Sequence, residues 1–253
     1  MLYFLNNHKI FFALFLMLFF SNLKILYSKE IYFDLSENEI KIQTDFNGKE
    51  IIIFGILEKD NEAILTIKGP KKKSRVQKKE RFFGIWLNTK YIIYNNVPSI
   101  FFVASSKDIE GILPASNIIN EELSFNYILE NKSSKTNFIS ISSQKTWQDN
   151  FVRIKKKKGL YKKFQIEKIN DKLFQTRVFF PSNTIPGKYT VKVYNIKNNS
   201  IIGMDKKIIN IEKSGIGSKI YYFANSNSAA YGLLVIIFAI LSGLIAATLF
   251  RRL

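Results

Sequence analysis

Residues 186–196 read PGKYTVKVYNI, in which a Pro-Gly turn runs directly into a strand that places Tyr189 and Val191 on one face. The polar residues 197–200 (KNNS) then make a turn, and residues 201–211 (IIGMDKKIINI) return as a second strand. Two apolar runs joined by a short polar turn predict a β-hairpin. The hairpin indicates a fold built by antiparallel strand pairing.

Short apolar runs bounded by turn residues fill both halves of the chain. A PGxYxVxV segment near the end of a small β domain resembles the penultimate strand of an immunoglobulin-like sandwich. We therefore predict a mainly β fold with one or two immunoglobulin-like antiparallel β-sandwich units, over residues 29–110 and 161–213, joined by a helical or mixed connector over 111–160. The expected strands cover residues 39–44, 49–57, 63–68, 75–78, 82–88, 91–94, 100–104, 164–169, 173–180, 188–196 and 201–211.

The connector carries apolar residues at helical spacing. This spacing predicts one helix over residues 118–129 and another that presents Trp147, Phe151 and Ile154 as a stripe. Gly159 follows a run of lysines and is expected to end the second helix.

Aromatic residues indicate where the core is expected. Residues 82–88 (FFGIWLN) would place apolar side chains on both faces of a strand, which predicts a strand buried on both sides. Trp86 and Trp147 are accordingly predicted to anchor the core. The alternative for Trp86 is a ligand-stacking site shared with Asn88.

The two ends of the chain carry apolar segments. Residues 10–20 (IFFALFLMLFF) follow Lys9 and predict a secretory signal over residues 1–28, with an uncleaved anchor as the alternative. Residues 229–250 contain no charge and are long enough for a transmembrane helix. Residues 214–228 are expected to form a juxtamembrane linker.

Basic residues beside these segments predict the topology. Lys9 precedes the first segment, and Arg251 and Arg252 follow the second, so both flanks favour the cytoplasm. We therefore expect residues 29–220 to be exported and residues 251–253 to form a cytoplasmic tail.

The charge balance alone suggests nucleic acid as a partner. Lys and Arg number 38 against 20 Asp and Glu, a formal charge of +18. Export of the charged part removes this expectation, so no nucleic-acid partner is predicted.

Cys and His are too rare for most catalytic and metal chemistry. The chain has no Cys, and His8, its one His, lies in the predicted signal. Without them a mature chain lacks disulfides, thiol nucleophiles, Ser-His-Asp triads and His- or Cys-bound zinc. We predict no enzyme activity, catalytic residue, cofactor or metal site. An enzyme using a Ser–Lys pair or carboxylates is the less favoured alternative, with candidate carboxylates at Asp34, Glu37, Glu39, Glu121 and Glu122.

Two further patterns suggest interaction surfaces. Small residues recur every fourth position at Ala239, Gly243 and Ala247, a spacing that lets another membrane helix approach closely. Two basic runs are expected to be solvated surface or, alternatively, contacts for anions or the membrane. Their lysines are Lys71, Lys72, Lys73, Lys155, Lys156, Lys157 and Lys158.

Several segments together resemble one family. The matching pieces are FNGKEIIIFGIL (46–57), TIKGP (66–70), KKERFFGIWLN (78–88), NVPSIFFVASS (96–106), KKKGLYK (156–162), PGKYTVKVY (186–194) and YGLLVIIFAILSGLIAATLFRR (231–252). In this order they are similar to the Alph_Pro_TM family of alphaproteobacterial transmembrane proteins. The resemblance implies a bacterial inner-membrane protein with an exported, periplasmic domain and one C-terminal span. It implies no particular activity, cofactor or catalytic residue.

The resemblance also suggests a role. Members are often found near genes for sulfite-exporter-like permeases, an association that suggests a permease as a candidate partner. We therefore predict a non-enzymatic, membrane-anchored periplasmic accessory protein that engages an integral membrane protein. The alternative is a binding module for an anionic ligand, lipid headgroups or an envelope polymer.

Overall fold

The computed structural model describes residues 31–129, 134–136, 144–170 and 172–251. The predicted signal over residues 1–28 lies outside these ranges. The mainly β prediction is confirmed, because strands outweigh helices in the described part of the chain.

The helices and strands follow the apolar patterning closely. The strands are β1 (Tyr32–Leu35), β2 (Glu39–Ile42), β3 (Gly48–Ile56), β4 (Glu62–Lys68), β5 (Lys71–Phe82), β6 (Ile85–Pro98), β7 (Phe101–Ser105), β8 (Ser134–Thr136), β9 (Tyr161–Gln165), β10 (Glu167–Ile169), β11 (Leu173–Pro181), β12 (Gly187–Lys197) and β13 (Ser200–Lys213). The helices are α1 (Ile109–Ile112), α2 (Ala115–Asn120), α3 (Gln144–Lys157), α4 (Ile216–Ser226) and α5 (Ser228–Phe250).

The strands form a large, a small and a hairpin sheet. The large sheet has the order β2-β13-β12-β4-β7-β9, the small sheet β1-β3-β11-β10 and the hairpin sheet β5-β6-β8. Both the large and the small sheet contain strands from residues 29–110 and strands from residues 161–213, so these ranges form one structural unit. Most neighbours are antiparallel, but β2 pairs with β13 and β7 with β9 in parallel.

The small sheet packs on one face of the large sheet. Ile51 and Ile53 alternate with more exposed residues along β3, which is the pattern of a strand buried on one side. From β11, the Phe180 ring meets the Phe102 ring at 5.5 Å and the Tyr189 ring at 5.7 Å, both edge-on. Such contacts add to the burial of apolar surface that stabilises the two sheets.

The connector covers the opposite face of the large sheet. Phe125 packs edge-on against Phe101 of β7 at 5.2 Å, and Phe151 of α3 packs edge-on against Tyr161 of β9 at 5.9 Å. β4 therefore lies between two apolar layers, which explains why its residues 63–67 are all buried. In the described residues the fold thus has three layers: small sheet, large sheet and connector.

The helix predicted over residues 118–129 is wrong in extent. Helix α2 ends at Asn120, and Glu122 adopts a positive φ of 50° that takes the chain out of the helix. Phe125 and Ile128 are nevertheless buried. The spacing of the apolar residues correctly predicts that they are buried, but irregular backbone and not a helix carries them into the core. The predicted second helix is confirmed as α3, with Trp147 packed against the edge of the core.

Strands β5 and β6 form a long hairpin that continues the β4–β7 pair beyond the large sheet. The pairing of Lys68 with Phe101 is followed by the pairing of Lys71 with Pro98. Between them, the Gly69 N–H donates to the Ile100 carbonyl at 2.9 Å. The hairpin is therefore an extension of the sheet and not a separate loop.

The prediction of a buried strand over residues 82–88 is wrong. Phe82 ends β5, Phe83 and Gly84 form the turn, and Ile85 begins β6, so the segment is the tip of the hairpin. Trp86 is 64% exposed and is not part of the core. Apolar residues usually indicate burial, but here the flanking strands carry them away from the core.

The strands of the large sheet end on two opposite sides. The hairpin begins at one of these sides, and the chain continues to α4 and α5 from the same side. Strand β4 ends at Lys68 beside Thr190 near the start of β12, and Gly187 at that start pairs with Ile211 near the end of β13. Strands β7 and β9 also begin at this edge, where Phe101 pairs with Tyr161. We call this end of the strands the exit edge.

Two helices complete the chain beyond the exit edge. The segment predicted as a linker over residues 214–228 contains helix α4, which contacts α5 through the rings of Phe223 and Tyr231 at 6.3 Å. Among the described residues, α5 is the one helix long and apolar enough to cross a membrane, and none of its residues is buried. It matches the span predicted over residues 229–250.

Candidate interaction surfaces

The tip of the hairpin is an apolar cluster in open solvent. We define the tip as Phe82, Phe83, Ile85, Trp86 and Leu87, all of which are exposed, Phe83 completely so. Pairing places Phe82 opposite Ile85 and Arg81 opposite Trp86, so apolar side chains stand on both faces of the hairpin. A contiguous exposed apolar cluster is typical of a contact surface for a protein or a membrane.

The turn at the tip uses unusual backbone geometry. Phe83 has a φ of 46° and Gly84 a φ of 85°, the two positive values that a two-residue hairpin turn of type I′ requires. Gly adopts this conformation readily, but a bulky residue such as Phe rarely does. The Phe83 ring is thus held at the outermost point of the chain despite an unfavourable backbone conformation.

Basic residues surround the hairpin below its tip. Residues 75–91 contain five basic residues and one acidic residue, and Glu80 is engaged by Lys78 at 2.8 Å. Hydrogen bonds from Lys78 and Thr89 lower the pKa of Glu80, so it remains a carboxylate. Arg75 lies over the ring of Tyr91 at 4.1 Å. The tip is therefore an apolar end on a positively charged stem.

The two basic runs meet at the exit edge. Lys71, Lys72 and Lys73 lie at the base of the hairpin, and the second run closes α3. The charge of Lys72 acts on Lys155, which shows that the runs are close in space although they are far apart in sequence. Lys156 lies over the Phe125 ring at 5.2 Å, so part of this run packs on the connector. Lys157 and Lys158 complete the run and continue the positive surface.

Lys155 differs from its run, which was expected to be solvated surface or, alternatively, a contact for anions or the membrane, because its side chain is buried. It is only 6% exposed, because it follows Phe151 by one helical turn and lies on the buried face of α3. Its ammonium donates to the Ser99 carbonyl at 3.4 Å and lies 5.4 Å from the Phe151 and Tyr161 ring centres.

Burial makes the charged form of Lys155 costly. Desolvation, followed by the positive charges of Lys72 and Lys158, lowers the pKa of Lys155 to about 8. Its aliphatic stem meanwhile packs among the aromatic rings of the connector layer. Lys155 therefore joins the hairpin base to α3 as part of the interior.

The predicted carboxylates are held by lysines. Tyr194 donates to Glu121 at 2.9 Å, and Lys68 contacts Glu122 at 3.0 Å, which fastens the connector to the large sheet. Desolvation, with the neighbouring Glu121, raises the pKa of Tyr194. The other predicted carboxylates lie on the exposed surface in ion pairs, which are Asp34–Lys207, Glu37–Lys49 and Glu39–Lys41.

The sequence did not indicate the ionic cluster at the edge opposite the exit edge. Glu62 contacts Lys107 at 2.8 Å and Lys168 at 2.9 Å and accepts a hydrogen bond from Ser106. Burial opposes ionisation of Glu62, but the hydrogen bonds from Lys107, Ser106 and Lys168 together lower its pKa. Because the cluster joins β4, β7 and β10, its visible role is to join the two sheets.

A groove lies beside the hairpin. An open groove of about 430 Å³ lies between the hairpin and α3 and is lined by residues that include Lys79, Lys90 and Trp147. Across the described ranges no three His, Cys, Asp or Glu residues come close enough to hold a metal ion. The ligand-stacking alternative for Trp86 and Asn88 stays a prediction.

The small residues of α5 lie on an uncovered helix. Ala239, Gly243 and Ala247 are exposed, and a Cβ atom added to Gly243 would meet nothing within 4 Å. The described residues therefore leave this face open to close approach by another helix.

The buried charge of Lys155 predicts a pH-dependent stability. Replacing Lys155 with Met should stabilise the protein at pH 7 by roughly 1–3 kcal/mol, because the variant no longer buries an ammonium whose pKa is depressed. The cost of that charge is complete below pH about 8 and fades as pH rises toward 10.5, where the unfolded chain also loses its proton. The advantage of Lys155→Met should therefore shrink between these values.

The comparison is made by chemical denaturation of the full chain in detergent, followed by circular dichroism. Lys157→Met, on the exposed side of α3, is the matched control and should change stability little at either pH. A destabilised Lys155→Met at pH 7, or an advantage independent of pH, would contradict the assignment.

Comparison with known proteins supports the resemblance seen in the sequence. Residues 30–252 match the model of the family described as "Putative transmembrane protein (Alph_Pro_TM)". No curated protein and no solved structure matches the chain. The match covers the three-layer domain, the hairpin and the membrane helix. The chain therefore belongs to the Alph_Pro_TM family of transmembrane proteins.

Proposed function

We propose that this protein is a non-enzymatic accessory protein whose exported domain is anchored by α5 and which engages an integral membrane protein. The observation that carries the proposal is the uncovered membrane helix with its small-residue face. Ala239, Gly243 and Ala247 present the spacing at which helix backbones pack closely in lipid. A single span forms neither a pore nor a transport path, so a permease that supplies one is the partner we favour.

The side-chain chemistry of the domain supports a non-enzymatic role. Its carboxylates at Glu62, Glu121 and Glu122 are engaged by lysines within the fold. Such groups stabilise the packing of layers and are poorly placed to exchange protons with a substrate.

The proposed topology places the domain in the periplasm of a bacterial inner membrane and the C-terminus in the cytoplasm. Arg251 directly follows α5, and basic residues next to a span favour the cytoplasmic side. The net positive charge of the domain does not oppose its export, because long domains are translocated largely regardless of charge.

Binding of an anionic ligand or envelope polymer is a second candidate. The exposed Lys156, Lys157 and Lys158 support it, because they follow Lys155, whose ammonium donates to the Ser99 carbonyl at the hairpin base, so that the two basic runs lie close together. Such binding would weaken as salt screens the surface charges.

The proposed topology is tested by a reporter inserted in the full chain at the exposed turn of Asn198 and Asn199. A reporter enzyme that works only outside the cytoplasm should be active there, and one that works only inside should be silent. The same two reporters fused after Leu253 serve as the matched control and should give the opposite pattern. Activity of the cytoplasmic reporter at the turn would contradict the topology.

The partner helix face is tested by Gly243→Leu. The added bulk should prevent close packing and lower the recovery of a crosslinked membrane partner about tenfold, equivalent to about 1.4 kcal/mol. Ile245→Phe adds bulk to the opposite face of α5 and should leave recovery unchanged. Recovery is measured by in-membrane crosslinking and mass spectrometry. Equal recovery of partners with both variants would refute this binding face.

A further inference from the structure

The tip of the hairpin has a property that binding of a second protein does not explain. A flat protein surface would cover one face of a hairpin and leave the other in water. Here Phe82, Ile85 and Leu87 share one face, Trp86 stands on the other, and Phe83 caps the end. A tip with apolar side chains on both faces and at its end is suited to a medium that surrounds it, as the interior of a lipid layer does.

The backbone at the tip supports the same conclusion. Asn or Asp occupies the position of Phe83 in most turns of this type because each tolerates a positive φ. Phe83 instead has a φ of 46° and is fully exposed. Strain at a site that gains no burial within the fold indicates that the ring is used elsewhere.

The residues next to the tip have the charge that a membrane surface requires. Lys78, Lys79, Arg81 and Lys90 follow the apolar cluster on both strands. Anionic phospholipids carry a net negative charge, and basic residues close to such a surface are attracted to it. Trp86 lies at the boundary between the apolar and basic parts, where an indole ring favours the interfacial region of a bilayer.

The position of the hairpin allows it to reach the bilayer that holds α5. Its base lies on the exit edge, from which the chain also leaves for the membrane helix. Strand β5 has 12 residues and can extend about 40 Å, whereas α4 has 11 residues and a length of about 16 Å. The hairpin is thus longer than α4, the helix that lies between the domain and α5.

We infer that the tip of the β5–β6 hairpin inserts into the interfacial layer of an anionic phospholipid bilayer, as a second membrane contact beside α5. The apolar tip enters the lipid while the basic stem stays among the headgroups. This inference rests on the membrane anchor and is independent of any partner bound by the Gly243 face.

The two tryptophans of the chain make the test direct. Trp147→Phe leaves Trp86 as the sole tryptophan at the tip, and Trp86→Phe leaves Trp147 beside the core as the matched control. Each full-length variant is reconstituted without other proteins in vesicles of phosphatidylglycerol and phosphatidylcholine. Vesicles whose acyl chains carry bromine then quench any tryptophan that enters the lipid.

We expect Trp86 emission to shift to the blue and to be quenched by brominated lipid, whereas Trp147 emission should change little. Quenching should be weaker in phosphatidylcholine alone, because the basic stem then loses its anionic partners. Phe83→Asp should reduce the quenching of Trp86. Phe83→Asn should do the same while keeping the fold, since Asn tolerates the positive φ and Phe83 supports no core contact.

Unquenched Trp86 in both kinds of vesicle would overturn the inference, as would equal quenching of Trp86 and Trp147. Protection of Trp86 that appears only after a second membrane protein is added would assign the tip to a protein partner instead. Recovery of partners through the Gly243 face is measured separately, so failure here leaves that proposal intact.

Discussion

Two backbone hydrogen bonds determine where the functional parts of this protein lie. The Gly69 N–H donates to the Ile100 carbonyl at 2.9 Å, and the Ser99 N–H donates to the Pro70 carbonyl at 3.0 Å. They carry the pairing of β4 with β7 into the hairpin without a break. Gly69 is needed here, because a Cβ atom would come within 2.6 Å of the Tyr189 ring. The close contact of Gly69 with the Tyr189 ring holds the base of the hairpin against the core.

Because the hairpin continues the large sheet, the exit edge differs from the opposite end of the domain. The hairpin, the basic end of α3 and the path to the membrane helix all begin there. The opposite edge is closed by the ion pairs of Glu62, which are internal to the fold. The apolar tip of the hairpin and the basic end of α3 thus belong to the side of the domain from which the chain continues to α5.

Local patterns in the sequence predicted most strands and the membrane helix, because period-two alternation and long uncharged runs are local properties. They could not predict that residues 29–110 and 161–213 share sheets, since strand pairing between distant segments leaves no local pattern. The prediction of a buried strand at the tip is wrong because apolar composition indicates that side chains favour leaving water, but it does not indicate which surface or medium covers them. The signal that could have found it was Gly84 between two strand patterns of similar length. Lys155 could also have been placed inside from its spacing of four from Phe151.

We conclude that the hairpin is a rigid continuation of the large sheet, so that the sheet sets the direction of the tip. Amide hydrogen exchange of the full chain in detergent measures this most directly. In a rigid hairpin, the amides of Gly69 and Ser99 are protected to the same degree as that of Leu65 within β4, while the amide of Gly84 exchanges rapidly. Rapid exchange at Gly69 and Ser99, matching that at Gly84, would mean that the hairpin hinges at its base and would contradict the account.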